Sequence, residues 1–134
     1  AIYERAVREP TLDAVFERLL VDSVHEFGRV SEGHPGCLTS SAAMSDTSPT
    51  LHVRDYVAEL QRADEERLHA RVERAARDGE TAATTDPAAL TGLVQTLWQG
   101  LSARAELGAD RAELLAIAAL ALDAIRCSRS GEDS

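Results

Sequence analysis

The stretch Asp110-Arg111-Ala112-Glu113-Leu114-Leu115-Ala116-Ile117-Ala118-Ala119-Leu120-Ala121-Leu122 decides the fold. Asp110 and Glu113 stand three apart, a capping-box-like pair that starts a helix. From Leu114 to Leu122 no polar residue follows, so the predicted helix is apolar on every side. Such a helix must be buried on every side. Two arrangements achieve that in a small bundle. Either the helix is central within its own chain, or one face packs inside and the other meets a partner chain. The alanines at 116, 118, 119 and 121 permit close helix approach. The helix before it carries Leu90, Leu93, Val94, Leu97, Trp98 and Leu101, more apolar surface than one stripe needs. It also holds Gly92 and Gly100, and an interior helical glycine costs up to about 1 kcal/mol relative to Ala. The reading therefore favours a symmetric dimer built on the last two helices. Its expected interface residues are Leu97, Leu101, Leu114, Ile117, Ala118, Ala121, Leu122 and Ile125.

The rest of the chain also reads as helix. Runs of alternating Val, Ile and Thr are missing, so strands gain no support. Ile2 to Arg8 reads as a helix already under way, interrupted at Glu9-Pro10-Thr11. Thr11 caps the next helix, whose stripe is Leu12, Val15, Phe16, Leu19, Leu20, Ser23, Val24 and Phe27, with Gly28 as the expected stop. Residues 31–36 form a loop by composition, and Cys37 to Met44 a helix of about two turns. Ser48-Pro49 caps a long helix to about Asp78, stopped by Gly79; its stripe is Val53, Val57, Leu60, Leu68, Val72 and Ala75. Asp86-Pro87 starts the penultimate helix, which ends near Gly108. The fold class is thus all-α, a bundle of about five helices, with the last two favoured as the dimer contact. Residues 128–134 read as a disordered tail.

With 134 residues the chain suits one domain. Its net charge of −9 argues against these residues holding nucleic acid, because that binding rests on neutralising phosphates. No apolar run reaches the roughly 20 residues of a membrane span. All 14 basic residues are Arg. Cys37 and Cys127 match no metal or redox spacing, and a reduced, cytoplasmic setting is the plain reading.

Catalysis finds no constellation. Glu66-x-x-His69 has the spacing of a di-iron helix, but the second such pair that those sites need is missing. Cys37 lies near His34 only in sequence, and nucleophile and base need alignment in space. Gly33-His34-Pro35-Gly36 lacks the Lys-Ser/Thr sequel of a phosphate loop. The chain is read as no enzyme, with no cofactor and no metal. What remains is a set of aromatics amid apolar positions, with neutral polar groups beside them: Phe16, Phe27, Tyr56 and Trp98, with Ser23, Gln95 and Gln99. Small-molecule pockets combine apolar walls with a few such groups, although an ordinary bundle core has the same composition.

The stretch His34-Pro35-Gly36-Cys37-Leu38 through Ala42-Ala43, followed by a long charged helix, resembles the C-terminal regulatory domain of TetR-family transcriptional regulators. So do Asp86-Pro87-Ala88-Ala89-Leu90 with Trp98-Gln99-Gly100-Leu101, and Gly108 to Leu115 at the turn into the last helix. The resemblance covers nearly the whole chain. It implies an effector-sensing and dimerising domain, with the last two helices forming a dimeric four-helix interface in the homodimer and a small organic effector inside the bundle. It also implies operator DNA bound only by a helix-turn-helix domain upstream of these residues, and repression relieved by a shift in population when effector binds. Residues 1–8 would then end the helix linking the two parts, and residues 9–127 would form the regulatory domain. The effector residues expected from the stripe reading are Phe16, Leu20, Val24, Phe27, Cys37, Met44, Tyr56, Gln95 and Trp98. The alternative is a stand-alone helical interaction module.

Overall fold

In the computed structural model, which describes residues 2–30 and 51–130, every element is helical. Helix α1 (Ile2–Ala6) turns at residues 7–11 into α2 (Leu12–Glu17). A π-helical turn (Arg18–Asp22) joins α2 to α3 (Ser23–Val30), so the three pieces form one rod. Helix α4 (Leu51–Arg77), α5 (Pro87–Glu106) and α6 (Arg111–Ser130) complete the bundle.

Local chemistry sets most of these boundaries. The Thr11 hydroxyl accepts from the Ala14 N–H at 3.2 Å, Asp86 from Ala88 at 3.0 Å, and Asp110 from Glu113 at 2.8 Å. Each satisfies an N–H that its helix leaves unpaired. Gly79 (φ 81°) and Gly108 (φ 97°) occupy the left-handed region just past α4 and α5. There Glu80 N–H bonds the Ala75 carbonyl and Ala109 N–H bonds that of Arg104, which closes the helix ends. Two boundaries differ from expectation. The backbone stays helical through Gly28 to Val30, because a single glycine costs about 1 kcal/mol and does not by itself stop a helix. Helix α6 runs to Ser130, so residues 128–130 are helical and not tail.

The rod carries the core. Leu12, Val15, Phe16, Leu19, Leu20, Ser23, Val24 and Phe27 are all buried. Leu12 to Leu19 pack with Tyr3, Leu68, Val72, Ala75, Leu90, Val94 and Ile125. Leu20, Val24 and Phe27 pack instead with Leu101, Leu114 and Ala118. The change of partners falls inside the π turn, where the wider winding rotates the apolar stripe towards the ends of α5 and α6 that face each other. Leu97, Trp98 and Leu122 pack against both groups and make the core continuous.

Along α4, Val53 and Val57 of the expected stripe lie outside the residues whose side chains are described, and the second half of the helix is anchored. Leu68, Val72 and Ala75 are buried, whereas Leu60 is exposed. Arg71 is buried beside them. Its guanidinium donates to the backbone carbonyls of Glu9 (3.1 Å) and Pro10 (3.3 Å) and lies 3.6 Å from the Glu80 carboxylate. Glu80 in turn accepts the Leu12 N–H at 2.9 Å, so one ion pair ties the α1–α2 corner to the end of α4.

Candidate functional site

Trp98 is half-buried where the two core groups meet. It reaches this position because α5 turns Leu90, Val94, Gln95 and Leu101 inward, and Trp98 falls on the same side of the helix. Its indole N–H donates to the Ser23 hydroxyl of α3 at 2.8 Å. Its ring meets Tyr3 of α1 edge-on, at 5.9 Å and 73°, and Phe27 of α3 at 6.2 Å and 59°. One turn before it, buried Gln95 accepts a hydrogen bond from the Tyr3 hydroxyl. Three helices thus meet on two side chains of α5. The polar atoms at this point are neutral: an indole N–H, a hydroxyl, an amide and a phenol.

Burial pushes the Tyr3 phenol well above its ordinary pKa, and the Asp64 and Glu65 carboxylates nearby push the same way. Asp64 is itself raised by desolvation. The phenol is therefore a stable neutral donor throughout the physiological range, which suits a fixed bond to an amide oxygen.

Of the residues expected to contact effector, Phe16 lies in one core group and Leu20, Val24 and Phe27 in the other, Gln95 is buried, and half-buried Trp98 packs against both groups. Tyr56 does not join them. It is 63% exposed on the first turns of α4, in an open surface hollow with Asp55, Glu59 and Arg62. Cys37 and Met44 lie outside the described residues. Tyr3 and Ser23 were not among the expected contacts, yet each bonds directly to the Gln95–Trp98 pair. Tyr3 carried a signal, an aromatic in the apolar spacing Ile2-Tyr3-Ala6, and Ser23 carried another, a hydroxyl inside an apolar stripe. A cleft of about 170 Å³ opens between α2 and α6, with Phe16 and Leu122 in its wall and Asp13, Glu17, Asp123 and Arg126 around them. Its charged lining contrasts with the neutral interior.

The expected interface residues divide in two. Leu101, Leu114, Ala118 and Ile125 are buried in the chain's own core and keep no surface for a partner. Leu97, Ile117, Ala121 and Leu122 are half-buried. The apolar surface that α5 and α6 leave uncovered is a neighbouring one. On α5 it runs through Ala89, Leu93, Thr96, Gly100 and Ala103 and ends on Leu107 just past the helix, all exposed and spaced alternately by four and three. On α6 it includes Ala116, Ala119, Leu120 and Ala124, with Leu120 73% exposed. A Cβ added at Gly100 or Gly92 would meet nothing within 4 Å, so packing inside the chain does not require either glycine.

His69 Nδ1 pairs with Glu73 at 3.4 Å on the outer side of α4. Among the described residues no group of three or more metal-type ligands gathers. No described helix is long and apolar enough to cross a membrane.

A family model described as the tetracyclin repressor-like C-terminal domain matches residues 16–120. The chain belongs to this family of TetR-type transcriptional regulators. Solved structures agree. A cysteine-substituted variant of the TetR-family transcriptional regulator CifR, complexed with a 26-bp double-strand operator DNA, is 28% identical with a TM-score of 0.80, over 91% of this chain and 64% of that one. A protein assigned as a TetR transcriptional regulator from Rhodococcus sp. RHA1 is 32% identical with a TM-score of 0.77, over 92% of this chain and 65% of that one. The chain thus spans less than two thirds of the length of the structures it matches. No curated protein sequence matches it.

Proposed function

We propose that these residues are the effector-sensing and dimerising part of a TetR-like transcriptional regulator, most simply a repressor. Operator binding belongs to a helix-turn-helix domain outside them. The observation that carries the sensing role is the meeting of Trp98, Ser23, Phe27, Gln95 and Tyr3. It is an apolar interior with a few neutral hydrogen-bonding groups, the composition of small-molecule sites. Phe16, Leu20, Val24, Phe27, Gln95 and Trp98 form the walls in this reading. An uncharged, largely apolar effector fits them best, because a buried charge needs a paired partner that this group does not offer.

Dimerisation is supported by the uncovered stripes on α5 and α6. Interior glycines with open space above them make sense where a second helix approaches closely. The net charge of −9 supports placing the operator contacts elsewhere. Effector binding acts by its differential affinity for two bundle arrangements. A thermal-shift screen of uncharged aromatic and aliphatic compounds tests the sensing role, since a ligand at 100 times its Kd stabilises by about 2.7 kcal/mol. Hits whose effect Trp98→Ala or Phe27→Ala abolishes support the reading. Hits indifferent to both substitutions place any effector elsewhere.

A further inference from the structure

Trp98 touches two helices: its N–H donates to Ser23 of α3, and its ring meets that of Tyr3 of α1 edge to face. Tyr3, the buried aromatic of α1, rests on that indole and bonds to Gln95 one turn away on the same helix. At its other end α1 runs into the 7–11 corner, which Arg71 and Glu80 clamp to α4 and α2. Helix α1 is only five residues long, and besides these two attachments it is held by Ile2 and Ala6 in the core and by Glu4, 3.4 Å from Arg67 of α4.

We infer that Trp98 is a coupling residue. A change that moves its ring away from Ser23 and Phe27 also unseats Tyr3, and α1 loosens about the corner held by Arg71 and Glu80. The physical basis is a shared partner: two groups packed on one rigid indole do not respond independently, whereas distant groups do. A molecule entering between α3 and α5 must compete for the Trp98 N–H or the Ser23 hydroxyl, and so acts on α1 without touching it. This last step rests on the proposed sensing role. The coupling itself is a property of the chain.

The test uses the 134-residue chain alone, with no effector and no DNA. Amide exchange is followed at Val7 and Glu9, whose N–H groups bond to the Tyr3 and Ala6 carbonyls, and at Val72 and Ala75 in α4 as reference. Ser23→Ala removes the α3 acceptor and leaves every α1 contact in place. Exchange at Val7 and Glu9 is expected to rise about tenfold relative to Val72 and Ala75, the effect of losing one buried hydrogen bond. In a Trp98→Phe background, where no indole N–H exists, Ser23→Ala should add nothing. Phe27→Leu, which keeps an apolar side chain in the core but removes the ring that meets Trp98, should loosen α1 in the same selective way. A uniform rise at all four amides, no rise, or an undiminished Ser23→Ala effect in the Trp98→Phe background overturns the inference. A chain that shows the selective effect but binds no compound keeps the coupling and loses the sensing role, so the two failures are distinct.

Discussion

The Arg71 guanidinium is buried 3.6 Å from the Glu80 carboxylate, and this pair fixes the corner between α1 and α2. Arg71 Nη2 donates to the Glu9 and Pro10 carbonyls, while Glu80 caps the start of α2 through the Leu12 N–H. Glu80→Gln keeps an acceptor for Leu12 but leaves a buried cation without its anion. It should cost about 1–3 kcal/mol, below the value for a fully buried pair because Glu80 is partly exposed. Glu80→Ala should cost more, since the Leu12 N–H loses its cap as well. Urea denaturation of the two variants checks both the size and the order.

Tyr3 makes stability fall at high pH. Its folded pKa is raised above the unfolded value of about 10 by burial, with Asp64 and Glu65 adding to the effect. Below pH 10 the phenol is neutral in both states and its contribution is complete. Above pH 10 the unfolded chain releases the proton while the folded chain keeps it, so stability drops by up to about 1.4 kcal/mol per pH unit from this group. Tyr3→Phe should cost about 1 kcal/mol at pH 7, where Gln95 loses its donor, and should flatten the decline above pH 10. Denaturation profiles at pH 7 and pH 11 would show the difference; parallel profiles for both proteins would contradict it.

Two glycines should respond in opposite ways. Gly79 has φ 81°, so Gly79→Ala forces an L side chain into the left-handed region and should destabilise by about 1–2 kcal/mol. Gly100 lies mid-helix with open space around it, so Gly100→Ala should stabilise the dissociated chain by up to about 1 kcal/mol. If a partner helix lies over Gly100, the same substitution also weakens dimerisation. Denaturation of dilute protein, set beside dissociation curves, separates the two effects.

Much of the fold was legible because caps and stripes are local. Thr11, Asp86, Asp110, Gly79 and Gly108 act where the sequence placed them, and all eight residues of the 12–27 stripe are buried. The π turn was not legible, since three- and four-residue spacing describes a stripe equally well on either side of it. Nothing local sets Arg71 apart from the other charges of α4; only the approach of the 7–11 corner makes it an interior residue. The interface reading had a deeper obstacle. A helix apolar on every side carries no mark of which face lies inward, and so Leu114, Ala118 and Ile125 could not be told from Ala116 and Leu120. Tyr56 shows the converse, an aromatic beside apolar neighbours that nevertheless faces outward.

The central claim is that the uncovered faces of α5 and α6 belong to a dimer, and sedimentation equilibrium of the chain at micromolar concentration tests it most directly. The account predicts the mass of two chains for the unaltered protein, and one chain for Leu120→Glu with an unchanged helical circular dichroism spectrum, because Leu120 is 73% exposed and contributes little to its own core. A single-chain mass for the unaltered protein, or an intact dimer in Leu120→Glu, would contradict it.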